Sequence, residues 1–199
     1  LSNLINLGFT VIVSGTSPRT WQRLMRYGFL NDLNYRISTE FALFSSVPRL
    51  AANYGIKLIF WGENPGLQLG DMKSKKHRGY DGNNLRYMNT ISGGDRWLNK
   101  TGISKKKLYP YYYPNPDEFK KNKLQIIYLG WFWKDWSLKE NGYIGYLEGL
   151  SLRKEKFEHT QDLYGVTSLD EDWVVLNQMI KYYKYGFGRV SDYMNEEIR

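Results

Sequence analysis

Glu63 and Asn64 follow an apolar run, Leu58–Trp61, with only Gly62 between them. In an open α/β sheet, ligands bind beyond the carboxyl ends of the strands. An acid and an amide at such a point are therefore candidates for chemistry. A second set follows in DGNNLRYMN (81–89). There Asp81, Asn83, Asn84 and Arg86 offer donors and acceptors close together, a mixture suited to a sugar or a nucleotide. The plainer alternative is a turn network. VSGTS (13–17) lies between an apolar run and a helix start. Backbone N–H groups in that context cradle anions, which makes Ser14 a candidate nucleotide contact. The same residues also make an ordinary strand–helix turn. KYGFGRVSD (184–192) sets Lys184 and Arg189 around a glycine-flexed turn as candidate substrate-binding cations, although a helix C-terminus attracts cations in any case. SGGD (92–95) resembles a phosphate loop, but no Ser or Thr follows its acid and no strand precedes it.

The elements that must position these residues are legible in the first sixty positions. TVIV (10–13) is a β-branched run and reads as a strand. Ser17 as N-cap, Pro18 at the first helical position and Gly28 past the end predict a helix over 18–27. Ser38 or Thr39 caps a second helix, closed by Gly55, with Pro48 expected to kink or divide it. KLIFW (57–61) is the second strand. Strands joined through helices predict a parallel sheet covered on both faces, with TVIV and KLIFW as neighbours or near-neighbours. Residues 62–94 then lose periodicity, as a functional or a disordered loop does. LQIIYLG (124–130) reads as a further strand, and WFWKDW after it as core packing in preference to a stacking surface. SLDEDWVVLNQMIKYYKYG is the clearest helix, with a Ser168/Glu171 capping box and a stripe of Trp173, Leu176, Ile180 and Tyr183. LYPYYYPNP (108–116) is read as a hinge. It separates an α/β nucleotide-binding part (1–107) from a mostly helical substrate or assembly part (108–199).

Composition narrows the classes. The 199 residues are enough for a domain with a real core. Charged residues are 24% and hydrophobic ones 42%, as in soluble globular chains. There is no cysteine, so disulfides, thiolate metal sites and cysteine nucleophiles are excluded from this segment. His77 and His159 have no metal-ligand spacing, and no metal site is expected from protein side chains alone. The longest apolar run, IIYLGWFW, is too short to span a bilayer, and no signal peptide is visible. The expected location is the cytoplasm, with no membrane partner. The net charge of +8 is carried by KSKKHR (73–78), SKKK (104–107) and KKNK (120–123). Such clusters are either solvated loop charge or the footprint of an anionic partner.

Four stretches taken together resemble the N-acetyl sugar amidotransferase family of lipopolysaccharide and surface-sugar biosynthesis, whose members are PP-loop enzymes of the adenine nucleotide α-hydrolase type. They are SVPRLAANYGIKLIFWGENPGLQLGD, GYDGNNLRYMNTISGGD, YLGWFWKDW and IKYYKYGFGRVSDYMNEEIR, in order over most of the chain. The resemblance implies ATP-dependent amidation of an acetamido group on a nucleotide-linked sugar, through adenylation, with ATP and Mg2+ as cofactors. It implies a glutaminase subunit as the source of ammonia, and makes nucleic acid an unlikely partner. Gly62 would let the backbone approach the nucleotide, Glu63 would hold Mg2+ or a ribose hydroxyl, and Asn64 would orient the activated carbonyl. The family's S-G-G-x-D-S loop and N-terminal cysteines are expected upstream of Leu1, so the chain is expected to be a fragment, incomplete at the N-terminus of the sheet and inactive alone. Two rivals stay open: a PP-loop tRNA-modifying enzyme, which the lysine clusters would suit, and a non-enzymatic carbohydrate- or nucleic-acid-binding module.

Overall fold

The computed structural model describes residues 1–62, 81–83, 94–133, 137–154, 169, 172–188, 191, 194, 195 and 198. The chain divides into two units. The first comprises Leu1–Val13 with Asp135–Arg199, and the second Ser14–Lys134. The 107/108 boundary drawn from sequence therefore falls inside the second unit. The physical reason is burial: Leu108, Tyr111 and Pro114 of the expected hinge are core residues.

The second unit begins with helix α2, Pro18–Asp32; the short α1, Ser2–Asn6, precedes it in the first unit. The Ser17 side chain accepts the Thr20 N–H, and Pro18 occupies the first helical position. The helix runs past Gly28 to Leu33, which caps it in the left-handed conformation at φ 48°. Gly28 is not a stop but a contact point. A Cβ there would lie 2.5 Å from the Asn34 carbonyl oxygen and 2.7 Å from Ile37 Cγ2. Helix α3, Ile37–Tyr54, is continuous, so Pro48 neither ends nor splits it. Phe41, Phe44, Ser45, Pro48 and Ala51 recur at intervals of three or four and form its buried stripe.

Strand β1, Leu58–Trp61, pairs in parallel with β2, Gln125–Tyr128, in the register Leu58↔Gln125 to Trp61↔Tyr128. Between them lie α4 (Gly94–Lys100), a 3-10 turn (Tyr109–Tyr111) and α5 (Pro116–Lys121). A parallel connection requires a crossover of this length. The fold is thus α/β with a two-stranded parallel sheet and flanking helices. Along β1 the side chains alternate: Ile59 and Trp61 are buried, Leu58 and Phe60 exposed. The buried face meets α3, where Phe44 stacks on Trp61 at 5.6 Å between ring centroids. The expectation of helices on both faces holds for one face only among the described residues.

TVIV is not a strand. Residues 9–17 have no regular structure, and Val13 is 81% exposed. The neighbour of β1 is β2, not TVIV. The aromatic run after β2 also departs from expectation: Trp131, Phe132 and Trp133 are exposed instead of forming core.

In the first unit, Asn3 of α1 both donates to the Ser151 carbonyl and accepts the Ser151 N–H. Arg153 pairs with Asp172 at 2.8 Å. Helix α6, Leu138–Leu147, starts at Ser137, whose hydroxyl accepts the Glu140 N–H. Helix α7, Val174–Tyr185, ends at Gly186 (φ 76°), as the sequence predicts. Its expected capping box, Ser168 and Glu171, lies outside the described residues. Trp173, Leu176 and Tyr183 are exposed, while Val174 and Gln178 are buried. The buried face is therefore offset from the stripe read from the sequence.

Candidate functional site

Ile126 is the centre of the site's scaffold. In a parallel pair, alternate residues of a strand direct their backbone groups to opposite sides. Gln125 donates its N–H to the Lys57 carbonyl on the β1 side. Ile126 therefore presents its N–H and C=O to the other side. Both are taken by the Asp81–Asn83 segment. The Gly82 N–H donates to the Ile126 carbonyl at 2.8 Å, and the Ile126 N–H donates to Asn83 Oδ1 at 2.8 Å. An amide side chain thus replaces the carbonyl of a third strand. Asp81 forms an isolated antiparallel bridge with Ile127. Its Oδ1 accepts the Asn83 N–H at 2.9 Å, which fixes the turn.

Gly82 is required here. A Cβ on it would run into Ile126, reaching 2.9 Å from Ile126 Cβ and 3.2 Å from the carbonyl oxygen. Ile126 is fully buried, so every backbone group around it must find a partner. The sequence-predicted ligands Asp81 and Asn83 thus have a structural task, as in the turn-network alternative. Sequence reasoning missed Gly82, although the Asp-Gly pair in a polar loop is itself a turn signal.

Gly62 ends β1 and is exposed. Phe60 pairs with Ile127, and Ile127 faces Asp81 on its other side. Two inter-strand spacings put Phe60 and Asp81 roughly 10 Å apart. The segment that leads into GEN and the segment that opens DGNN therefore belong to one hydrogen-bonded layer. Glu63, Asn64, Asn84 and Arg86 lie outside the described residues, as does Arg189. Ser14 is half-buried in the second unit, and Ser17, three residues on, already caps α2 through the Thr20 N–H. Lys184 belongs to the first unit, is exposed, and lies 5.4 Å from the centre of the Tyr185 ring. Gly94 and Asp95 of SGGD open α4. Among the described residues, no group of three or more acids and histidines is gathered as a metal site. The acid expected to hold Mg2+, Glu63, is not among them.

A second polar network supports the same layer. Arg49 is 6% exposed on α3. It donates from Nε and Nη2 to the Tyr112 carbonyl and from Nη1 to Glu118 Oε1 at 2.7 Å. Its guanidinium lies 5.0 Å from the Tyr109 ring centroid. Glu118 also completes a capping box with Asn115 at the start of α5. One charge thereby ties α3 to both the 3-10 turn and α5. Burial pushes the Tyr111 hydroxyl well above the ordinary tyrosine range, because the phenolate would be desolvated. Burial, with Asp95 nearby, raises Tyr112 as well.

No protein-family model matches the chain, and no curated protein matches it either. None of the described helices is long and apolar enough to cross a membrane.

Proposed function

We propose that this chain is part of an ATP-dependent amidotransferase that converts an acetamido group of a nucleotide-linked sugar to an acetamidino group, in surface-glycan biosynthesis. The observation that carries the reading is the shared layer: β1 leads into GEN, and Asp81–Asn83 of DGNNLRYMN closes the far side of its neighbour β2. The two stretches that support the resemblance most strongly thus start from one sheet. β1 and β2 are parallel, so their carboxyl ends share an edge, the usual place for a ligand in an α/β sheet. Asp81–Asn83 runs antiparallel to β2, with Asp81 the nearest of the three to that edge.

The chemistry is that of a poor leaving group made good. The amide oxygen of the substrate attacks the α-phosphorus of ATP, and pyrophosphate departs. Ammonia adds to the resulting imidate carbon, AMP leaves with the former amide oxygen, and a proton is lost. On this reading Gly62 admits the nucleotide to the backbone, Glu63 holds a cation or a ribose hydroxyl, and Asn64 orients the carbonyl. Asp81 and Asn83 act as positioning residues, holding the start of the sugar-side segment that continues to Asn84 and Arg86. Ammonia comes from a separate glutaminase subunit, in the cytoplasm.

The test is AMP release by the full-length protein with ATP, ammonium and UDP-linked acetamido sugars. Glu63→Ala is expected to abolish sugar-dependent AMP formation and to leave the circular-dichroism spectrum unchanged. Full activity in that variant, or AMP release indifferent to the sugar, contradicts the reading.

A further inference from the structure

We infer that the Tyr109 face of the second unit binds single-stranded nucleic acid, Tyr109 stacking a base while the surrounding lysines hold the phosphates. This goes beyond the amidotransferase reading and does not depend on it. It departs from the sequence-based expectation that nucleic acid is an improbable partner, because Arg49 contacts both Tyr109 and Glu118, on elements that carry lysine clusters separate along the chain.

Tyr109 is held like a platform. Its hydroxyl donates to Asn53 Oδ1 at 3.1 Å, and the Arg49 guanidinium lies 5.0 Å from its ring centroid. Arg49 is itself fixed by three hydrogen bonds to Tyr112 and Glu118. The residue is nevertheless 47% exposed. An aromatic side chain fixed at its hydroxyl and backed by a cation, in a residue almost half exposed, loses little entropy when a flat partner stacks on it.

The charge around it has one dominant sign. Lys105, Lys106 and Lys107 are exposed in the turn that leads into Tyr109. Arg49 also binds Glu118 of α5, whose last turn carries Lys120 and Lys121 and which is followed by Lys123, all exposed. Arg49 therefore joins the second lysine cluster to the platform that follows the first. Of the acids on these elements, Glu118 is paired with Arg49, leaving Asp117 on α5 and Asp95 near Tyr112 against six lysines. Lysines beside an open aromatic ring are the combination that holds single strands without sequence preference.

Fluorescence anisotropy with labelled oligo(U) and oligo(dT) of about a dozen nucleotides tests this. Binding of either is expected, and the two arms tell RNA from DNA; binding of neither overturns the proposal. Tyr109→Leu is expected to weaken binding about tenfold. Tyr109→Phe, which keeps the ring and serves if the leucine variant does not fold, is expected to stay within about twofold. The triple variant K105Q/K106Q/K107Q should lower the slope of log K against log salt by about 2. R19Q/R23Q/R26Q removes the same charge from exposed positions of α2, and should leave that slope unchanged. Equal losses in the two triple variants would reduce the effect to net charge and overturn the proposal. Competition by poly-glutamate as strong as by oligo(U) would do the same, since it would point to an acidic protein partner.

Discussion

Thr10–Val13 and Gln125–Tyr128 are both four-residue runs rich in β-branched side chains, yet only the second is a strand. The difference lies in their neighbours. Gln125–Tyr128 has partners on both sides: β1 flanks it on one, and on the other Gly82 and Asn83 take both backbone groups of Ile126. The Ile126 side chain is fully buried. The TVIV run has no ladder, and Ile12 and Val13 are exposed. Strand propensity measures how well a side chain suits a pleated, half-buried surface, so it has little force where no such surface is supplied.

The comparison can be broken at graded points. Ile126→Ala removes the centre of the ladder's core and should cost about 2–5 kcal/mol of stability, read from urea denaturation. Gly82→Ala should cost about 1–3 kcal/mol, because the added methyl meets Ile126 and must push the 81–83 segment off β2. Faster amide exchange at Ile126 in that variant would locate the damage. Asn83→Ala leaves the buried Ile126 N–H without its acceptor, and about 1–2 kcal/mol is expected. Combined with Gly82→Ala it should be less than additive, since both changes release one contact. Ile12→Thr should fall within about 0.5 kcal/mol, as exposed substitutions do. A loss there as large as that of Ile126→Ala would mean that TVIV pairs in solution.

How much was legible follows from the range of each signal. The start of α2 was readable because Ser17 and Pro18 act on their own backbone, and Gly55 and Gly186 ended helices for the same local reason. The strand LQIIYLG was readable from its β-branched run, but its partner was not, because pairing is decided by residues more than sixty positions away. Gly28 misled as a stop because its requirement is tertiary: the 34–37 turn crosses too close for any side chain. In the site, Asp81 and Asn83 were found as polar groups in a tight cluster. That Asn83 serves a strand's N–H could not be read, since it needs the position of Ile126. Arg49 carries no local signal in the sequence, since Tyr112 and Glu118 reach it only on folding.

The central claim, amidation through an activated amide oxygen, is tested most directly by following that oxygen. The full-length protein is given ATP, ammonium and a nucleotide sugar labelled with oxygen-18 in its acetamido carbonyl, and the AMP is examined by mass spectrometry. The account predicts that each AMP formed carries the label on its phosphate and that the sugar gains one nitrogen from ammonium. AMP released without the label, or a sugar that keeps its oxygen, would contradict it.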